Sequence, residues 1–344
     1  MADTNLDQAK KEFLLANYYS KGQSPDFQKI NSLSASTRSY YRAQKDEGTE
    51  IICVDPLLSE SRIKKYEIIS QVLKNVMASL PELRYYDLKY HLLIWDDLGE
   101  MNLAEYLKMS IDFKRNLQDI HQRYIIPFFV KISQQGTIKE FPVFSLEKYL
   151  FEWEFHVNSQ YICSHLKKML RPDFWEICLS TMLKLFYKLL QAPVCPIHRD
   201  FQSSNIFIKN DKMFLIDAQD MRMGHPLYDP VSWYFDSYLP LKIEDRFNYL
   251  DDYINHHYRQ IDPYRDAERL SEEALILIIQ RKLHDAGAFV FADSRMGGSS
   301  FSGFIQPALY MAYEAALRLN NEICIKFIHA LSHPEDPGST NIFL

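Results

Sequence analysis

The chain has 344 residues, enough for one or two substantial cores, and its 47% hydrophobic and 24% charged residues are an ordinary globular mix. A formal net charge of −6 offers no broad basic footprint for nucleic acid. No run approaches the roughly 18 apolar residues of a membrane span. The first residues, Met1-Ala-Asp-Thr-Asn-Leu-Asp-Gln-Ala-Lys10, lack the apolar core of a signal peptide. Cys53, Cys163, Cys178, Cys195 and Cys324 are scattered with no CxxC. The expectation is a cytoplasmic protein with reduced thiols, no nucleic-acid partner and no membrane partner.

Residues 1–30 read as an amphipathic helix ending near Gly22 or Pro25. Tyr40–Ala43 and Glu50–Val54 alternate as two short strands around the turn residues Lys45–Gly48. Ser59 opens a helix in which Ile63, Tyr66, Ile69, Leu73, Val76 and Met77 recur at helical spacing. His91–Trp95 is a further strand, followed by Asp96-Asp-Leu-Gly99. Helices dominate from there: 102–122, 145–166, Asp173–Gln191, Pro230–Tyr238, Ile243–Arg259, Ser271–Phe291 and Ile305–Asn320, with 124–144 read as irregular. A strand-rich first third before a helical remainder predicts an α+β protein with a small β-rich N-lobe, 1–95, and a mostly helical C-lobe, 102–344. The joint lies at 96–101, and cofactor clefts commonly lie between such lobes.

Between the helices lies a run of different character. Cys195-Pro-Ile-His-Arg-Asp-Phe-Gln-Ser-Ser-Asn-Ile-Phe-Ile-Lys209 is followed by Met213-Phe-Leu-Ile-Asp-Ala-Gln-Asp220. Asn205–Lys209 and Met213–Ile216 are apolar and β-favouring, and Asn210-Asp-Lys212 is turn chemistry, so they predict a β-hairpin. A hairpin returns Asp217, after its second strand, toward Asn205, before its first. A single His-Arg-Asp can arise by chance. His-Arg-Asp, then Asn five residues on, then a hairpin ending in Asp, is the chemistry of phosphoryl transfer from ATP. An aspartate, Asp200, takes the proton of the attacking hydroxyl. An amide oxygen, Asn205, and a carboxylate, Asp217, are hard ligands for Mg2+. No Ala-Pro-Glu closes an activation segment after Asp217, which argues against a protein kinase.

These motifs resemble the aminoglycoside phosphotransferase/choline kinase family of protein-kinase-like fold. Within it they are most similar to the bacterial kinases that phosphorylate N-acetylmuramate and N-acetylglucosamine at the anomeric hydroxyl. The resemblance spans nearly the whole chain: Leu33–Arg42, Leu92–Gly99, His198–Asn205, Ile216–Asp220, Gly224–Ser232 and Gln280–Phe289. It implies an ATP- and Mg2+-dependent phosphotransferase with a sugar as acceptor. Another small alcohol (choline, homoserine, an aminoglycoside) and a non-catalytic nucleotide-binding scaffold remain alternatives. Asp200 would be the base, Asn205 and Asp217 the metal ligands. Ser36, Thr37 and Arg38 would lie over the ATP phosphates, and the backbone of Trp95, Asp96 and Leu98 would meet the adenine. Glu152 stands where related sugar kinases carry an acid facing the acceptor, or it is an exposed helix charge. Gln202 and Ser203 either touch substrate or cap the turn, and His198 reads as structural. The chain departs from the family pattern twice: its phosphate loop has no glycine, and Ile51–Val54 lacks the usual strand lysine. Arg38 and Arg42, then Lys64 or Lys65, are the replacement cations. Asp229, before Pro230, reads as a helix N-cap rather than a brace of the metal site.

Overall fold

The alternation in the first hundred residues folds as an antiparallel sheet. In the computed structural model, which describes residues 6–19, 25–30, 38–46, 48–259, 262, 266–296, 300–336, 338 and 341–343, the chain packs as two units. One comprises 1–101 with 207–219, the other 102–206 with 220–344.

In the first unit α1 (Gln8–Asn17) precedes β1 (Asp26–Ile30), β2 (Ser39–Lys45) and β3 (Gly48–Val54). Then come α2 (Glu60–Lys74), β4 (Ala78–Ser79), β5 (Leu83–Asp87) and β6 (Leu92–Asp96). The sheet order is β1-β2-β3-β6-β5. In the central strands the period of two sorts side chains onto two faces. Ile52, Leu92 and Ile94 join Leu6, Leu14 and Tyr19 on the side of α1, whereas Cys53 and Leu93 join Leu58 and Ile63 of the α2 side. Helix 1–30 is therefore corrected: α1 ends at Asn17, and 26–30 pairs with β2 instead. The hairpin β8 (Ile206–Lys209) and β9 (Lys212–Leu215) forms as expected, its turn made by Asn210 and Asp211 at φ 50 and 56. Two successive left-handed residues give the turn whose twist matches a two-residue hairpin. Strand β4 adds to β9 in parallel, Ala78 opposite Met213.

The second unit begins with α3 (Leu103–Met109) and α4 (Phe113–Ile120), which continues through a π turn (His121–Ile125) into α5 (Ile126–Ser133). The expectation of irregular structure at 124–144 fails for its first ten residues. Pro127 follows closely on the π turn, where the regular i→i−4 ladder is already interrupted. Ile125, Phe128, Phe129 and Ile132 are buried at helical spacing, but Ile126, Pro127 and Val130 between them are also apolar, so the sequence shows an unbroken apolar run rather than a clean period. Next are α6 (Leu146–Trp153) with its π continuation (Glu154–Leu166), α7 (Pro172–Leu189), β7 (Cys195–Ile197) and β10 (Arg222–Gly224). Then follow α8 (Tyr228–Tyr234), α9 (Ile243–Tyr253), α10 (Ala267–Met296), α11 (Ser302–Arg318) and α12 (Glu322–Ser332). Helix α10 is buried around most of its circumference, from Ile276 to Ala286. Gly287 makes that possible: a Cβ there would lie 1.9 Å from the backbone oxygen of His156. No described helix is long and apolar enough to cross a membrane. The five cysteines are free, all buried except Cys163.

Candidate active site

In the helical unit β7 and β10 pair antiparallel, Cys195 opposite Gly224 and Ile197 opposite Arg222. The His-Arg-Asp loop leaves the end of β7. Arg199 adopts φ 79, a left-handed conformation that a non-glycine residue keeps only when its surroundings impose it. Three contacts impose it. The Asp229 carboxylate accepts the backbone N–H of His198 at 2.6 Å and of Arg199 at 3.0 Å. The Arg199 guanidinium donates to Glu152 at 2.6 Å. Phe201 is fully buried and stacks on Phe128 of α5, ring centroids 4.9 Å apart. At the far end of the loop the Asp236 carboxylate accepts the backbone N–H of Ser203 at 2.6 Å. Burial raises the pKa of both Asp229 and Asp236.

Between these anchors Asp200 keeps a side chain 40% exposed. Its Oδ1 meets the Arg281 guanidinium of α10 at 3.2 Å, and its carbonyl accepts from Asn205 Nδ2 at 2.9 Å. Burial pushes the Asp200 carboxyl up, but Arg281, Arg199, His284 and His198 outweigh it and hold the group ionised below the usual range. The amide of Asn205 is thus oriented through its nitrogen, which leaves its oxygen for a ligand.

In the sheet unit Asp217 follows β9 at φ 60, with its side chain 46% exposed. Its Oδ1 accepts from Gln219 at 2.7 Å, and Arg38 Nη1 lies 3.9 Å away. Arg38 donates through Nε to Asp55 at 3.0 Å, and Asp55 also pairs with Arg62 at 2.8 Å. Arg42 is wholly engaged elsewhere, by Asp97, Glu100 and the Gly99 carbonyl, and so braces the 97–100 segment. Trp95 lies in β6 opposite Ile51 and stacks on Tyr66. Asp96 pairs with Arg84 at 2.7 Å and donates its N–H to Glu82. The Leu98 backbone is engaged by no hydrogen bond among the described residues. Ser36 and Thr37 lie outside the described residues.

Two sequence readings change. Glu152 is not an exposed helix charge: it is 2% exposed and held by Arg199, by Lys148 at 3.1 Å and by Gln280 at 3.4 Å. Asp229 does not cap a helix, because α8 begins at Tyr228 after Leu227 and the carboxylate turns to the catalytic loop instead. Gln202 is buried and donates to Asp285 at 3.3 Å. The sequence reading missed Arg281 and Asp285. Their signal was Gln280-Arg-Lys-Leu-His-Asp285, a charged cluster inside an otherwise apolar helix.

A sheet unit, a helical unit and a braced His-Arg-Asp loop define a protein-kinase-like fold carrying small-molecule phosphotransferase motifs. The chain belongs to the phosphotransferase enzyme family, whose sequence profile matches residues 28–264. It is similar to the N-acetylmuramate/N-acetylglucosamine kinase of Neisseria meningitidis serogroup B, 22% identical over 217 residues. That match covers 60% of this chain and 60% of the length of that curated relative. Among solved structures the chain is similar to an ethanolamine kinase of Plasmodium vivax (TM-score 0.58, 14% identity, 91% of this chain and 89% of that one). It is similar also to a choline/ethanolamine kinase family protein of Mesorhizobium loti (0.56, 12%, 94% and 98%). A third is the GDP complex of wild-type aminoglycoside 2'-phosphotransferase-IIIa (0.57, 10%, 90% and 98%). These structures share the fold.

Proposed function

We propose that this phosphotransferase moves the γ-phosphate of ATP to a hydroxyl of an amino sugar, with N-acetylmuramate and N-acetylglucosamine as the leading acceptors, in the cytoplasm. The observation that carries the reading is Asp200: an ionised carboxylate, half open, on a loop whose backbone is pinned at both ends. Such a group can accept the hydrogen bond of an incoming hydroxyl, align its oxygen and take its proton as the P–O bond forms. The amino-sugar acceptor is supported by the Neisseria relative's activity.

The oxygen set suits Mg2+. The Asn205 amide oxygen and the Asp217 carboxylate are hard donors, and a site of one or two protein oxygens completed by phosphates and water is what this ion prefers. Bound there, the ion would neutralise the charge that develops on the transferred phosphoryl group. Arg38, positioned by Asp55, would meet phosphate oxygens in place of a strand lysine. The unengaged backbone of Leu98 would meet the base; Trp95, expected beside it, lies between β3 and β5 in the sheet, and the Asp96 N–H is taken by the Glu82 carbonyl. Nucleotide use is supported by the GDP-bound fold relative.

The test is ADP release from ATP and Mg2+ across N-acetylmuramate, N-acetylglucosamine, glucosamine, choline, homoserine and an aminoglycoside. An amino sugar should give the highest kcat/KM, and Asp217→Ala should lower it by about a thousandfold or more. Preference for choline or homoserine would overturn the acceptor; undiminished turnover by Asp217→Ala would overturn the role of that carboxylate.

A further inference from the structure

Resting on the kinase reading, we propose that Arg281 is a positioning residue for that reaction: it clamps one oxygen of Asp200 so that the other faces the acceptor hydroxyl.

Arg281 stands in the middle of α10 among Ile276, Leu277, Ile278, Ile279 and Leu283, all buried. Its side chain is 1% exposed. A guanidinium in such surroundings is costly unless its partners are fixed and close. They are. Arg281 Nη2 lies 3.0 Å from Asp285 Oδ1 and 3.2 Å from Asp200 Oδ1, with the guanidinium 5.6 Å above the Tyr228 ring centroid. Asp285 is held in turn by Lys282 at 2.5 Å and by Gln202 at 3.3 Å. Lys282 donates onward to the Phe235 carbonyl and the Ser237 hydroxyl. Every member of this chain is buried until it reaches Asp200. The charges therefore end on the one carboxylate that solvent and substrate can reach. Asp200 Oδ2 has no hydrogen-bond partner among the described residues. The helix that carries Arg281 cannot drift, because Gly287 brings it against the His156 backbone.

An arginine kept only for core stability would not matter to turnover once the protein is folded. A positioning arginine would, because a displacement of about 1 Å in a reacting group can lower the rate about a hundredfold. Kinetics of Arg281→Gln and Arg281→Lys against wild type, with Asp200→Asn as control, separate the two. Arg281→Gln should lose about a hundredfold in kcat with the KM for ATP unchanged within about twofold. Arg281→Lys, which keeps the charge and loses the planar fork, should fall between them. It also carries the test should the glutamine variant fail to fold. Guanidinium added to Arg281→Ala should restore turnover severalfold and leave Asp200→Asn unchanged. Wild-type kcat in folded Arg281→Gln, or in folded Arg281→Lys if only that variant folds, would overturn the proposal. A crystal structure of the variant needs no substrate: Asp200 should leave its wild-type rotamer while the Asp229-bound backbone stays. An Asp200 side chain that does not move would also overturn it. This second readout decides the proposal even if no acceptor on the panel is phosphorylated.

Discussion

Asp229 stands 30 residues from the nearer of the two backbone amides it holds. Its removal strands one buried and one part-buried N–H group, each costing up to about 1–3 kcal/mol when left unsatisfied. Asp229→Ala should therefore destabilise the protein by about 3 kcal/mol, read as a lowered urea midpoint at unchanged slope. An unchanged midpoint would mean that the catalytic loop does not depend on that carboxylate. The example marks what was legible residue by residue. The loop that carries Asp200 and Asn205 and the hairpin that leads to Asp217 could be read because they are expressed in local spacing: a tripeptide, five residues and two apolar runs about a turn. Asp229, Arg281 and Asp285 could not, since each acts on a partner far along the chain, and the sequence carries no measure of that distance. The exposed-charge alternative for Glu152 fails for the same reason. A carboxylate on a helix is usually solvated, and one of its two cations, Arg199, lies 47 residues away.

Elements were legible where their periodicity was clean. The β8–β9 hairpin follows from two apolar runs and an Asn-Asp turn, β2 and β3 follow from alternation, and β6 from a short apolar run. Strand β1 was absorbed into a helix because residues 26–30 are short and pair at an edge of the sheet. Helix α5 was lost because Pro127 and Val130 fill the gaps between its buried residues with further apolar side chains, although it supplies Phe128 and Phe129 beneath Phe201. Between helices the decisive residue is small. At Gly287 any Cβ would meet the backbone of His156, which cannot rotate away. Gly287→Ala has helix propensity in its favour by about 1 kcal/mol, yet should destabilise by about 2 kcal/mol or more because α10 must shift. A thermal-unfolding midpoint equal to or above wild type would contradict the close approach.

At the scale of the whole molecule, the chain passes between its two units after residues 101, 206 and 219. Its stability should also depend on pH through a group outside the catalytic loop. His121 is buried and shares a 2.7 Å hydrogen bond with Tyr234. Burial, then the nearby His257, lowers its pKa from 6.5 to about 4, with Asp252 opposing and Tyr249 packed edge-on. The unfolded chain thus binds a proton that the folded one refuses. The contribution of His121 is fully present above about pH 6.5 and is lost progressively as pH falls toward 4. Between pH 7.5 and 5 the loss from this group should be about 2 kcal/mol. His121→Phe should lose correspondingly less over the same interval in urea titrations, and equal losses in the two proteins would contradict the assignment.

The central claim is that Asp200 lies at a working phosphoryl-transfer site. The most direct test is the mass of the product formed from ATP, Mg2+ and N-acetylmuramate or N-acetylglucosamine by wild type and by Asp200→Asn. The account predicts a sugar bearing one added phosphoryl group with wild type, and loss of at least about a hundredfold in its rate of formation with Asp200→Asn. Phosphorylated sugar formed equally fast by both proteins, or no phosphorylated sugar from wild type that binds ATP, would contradict it.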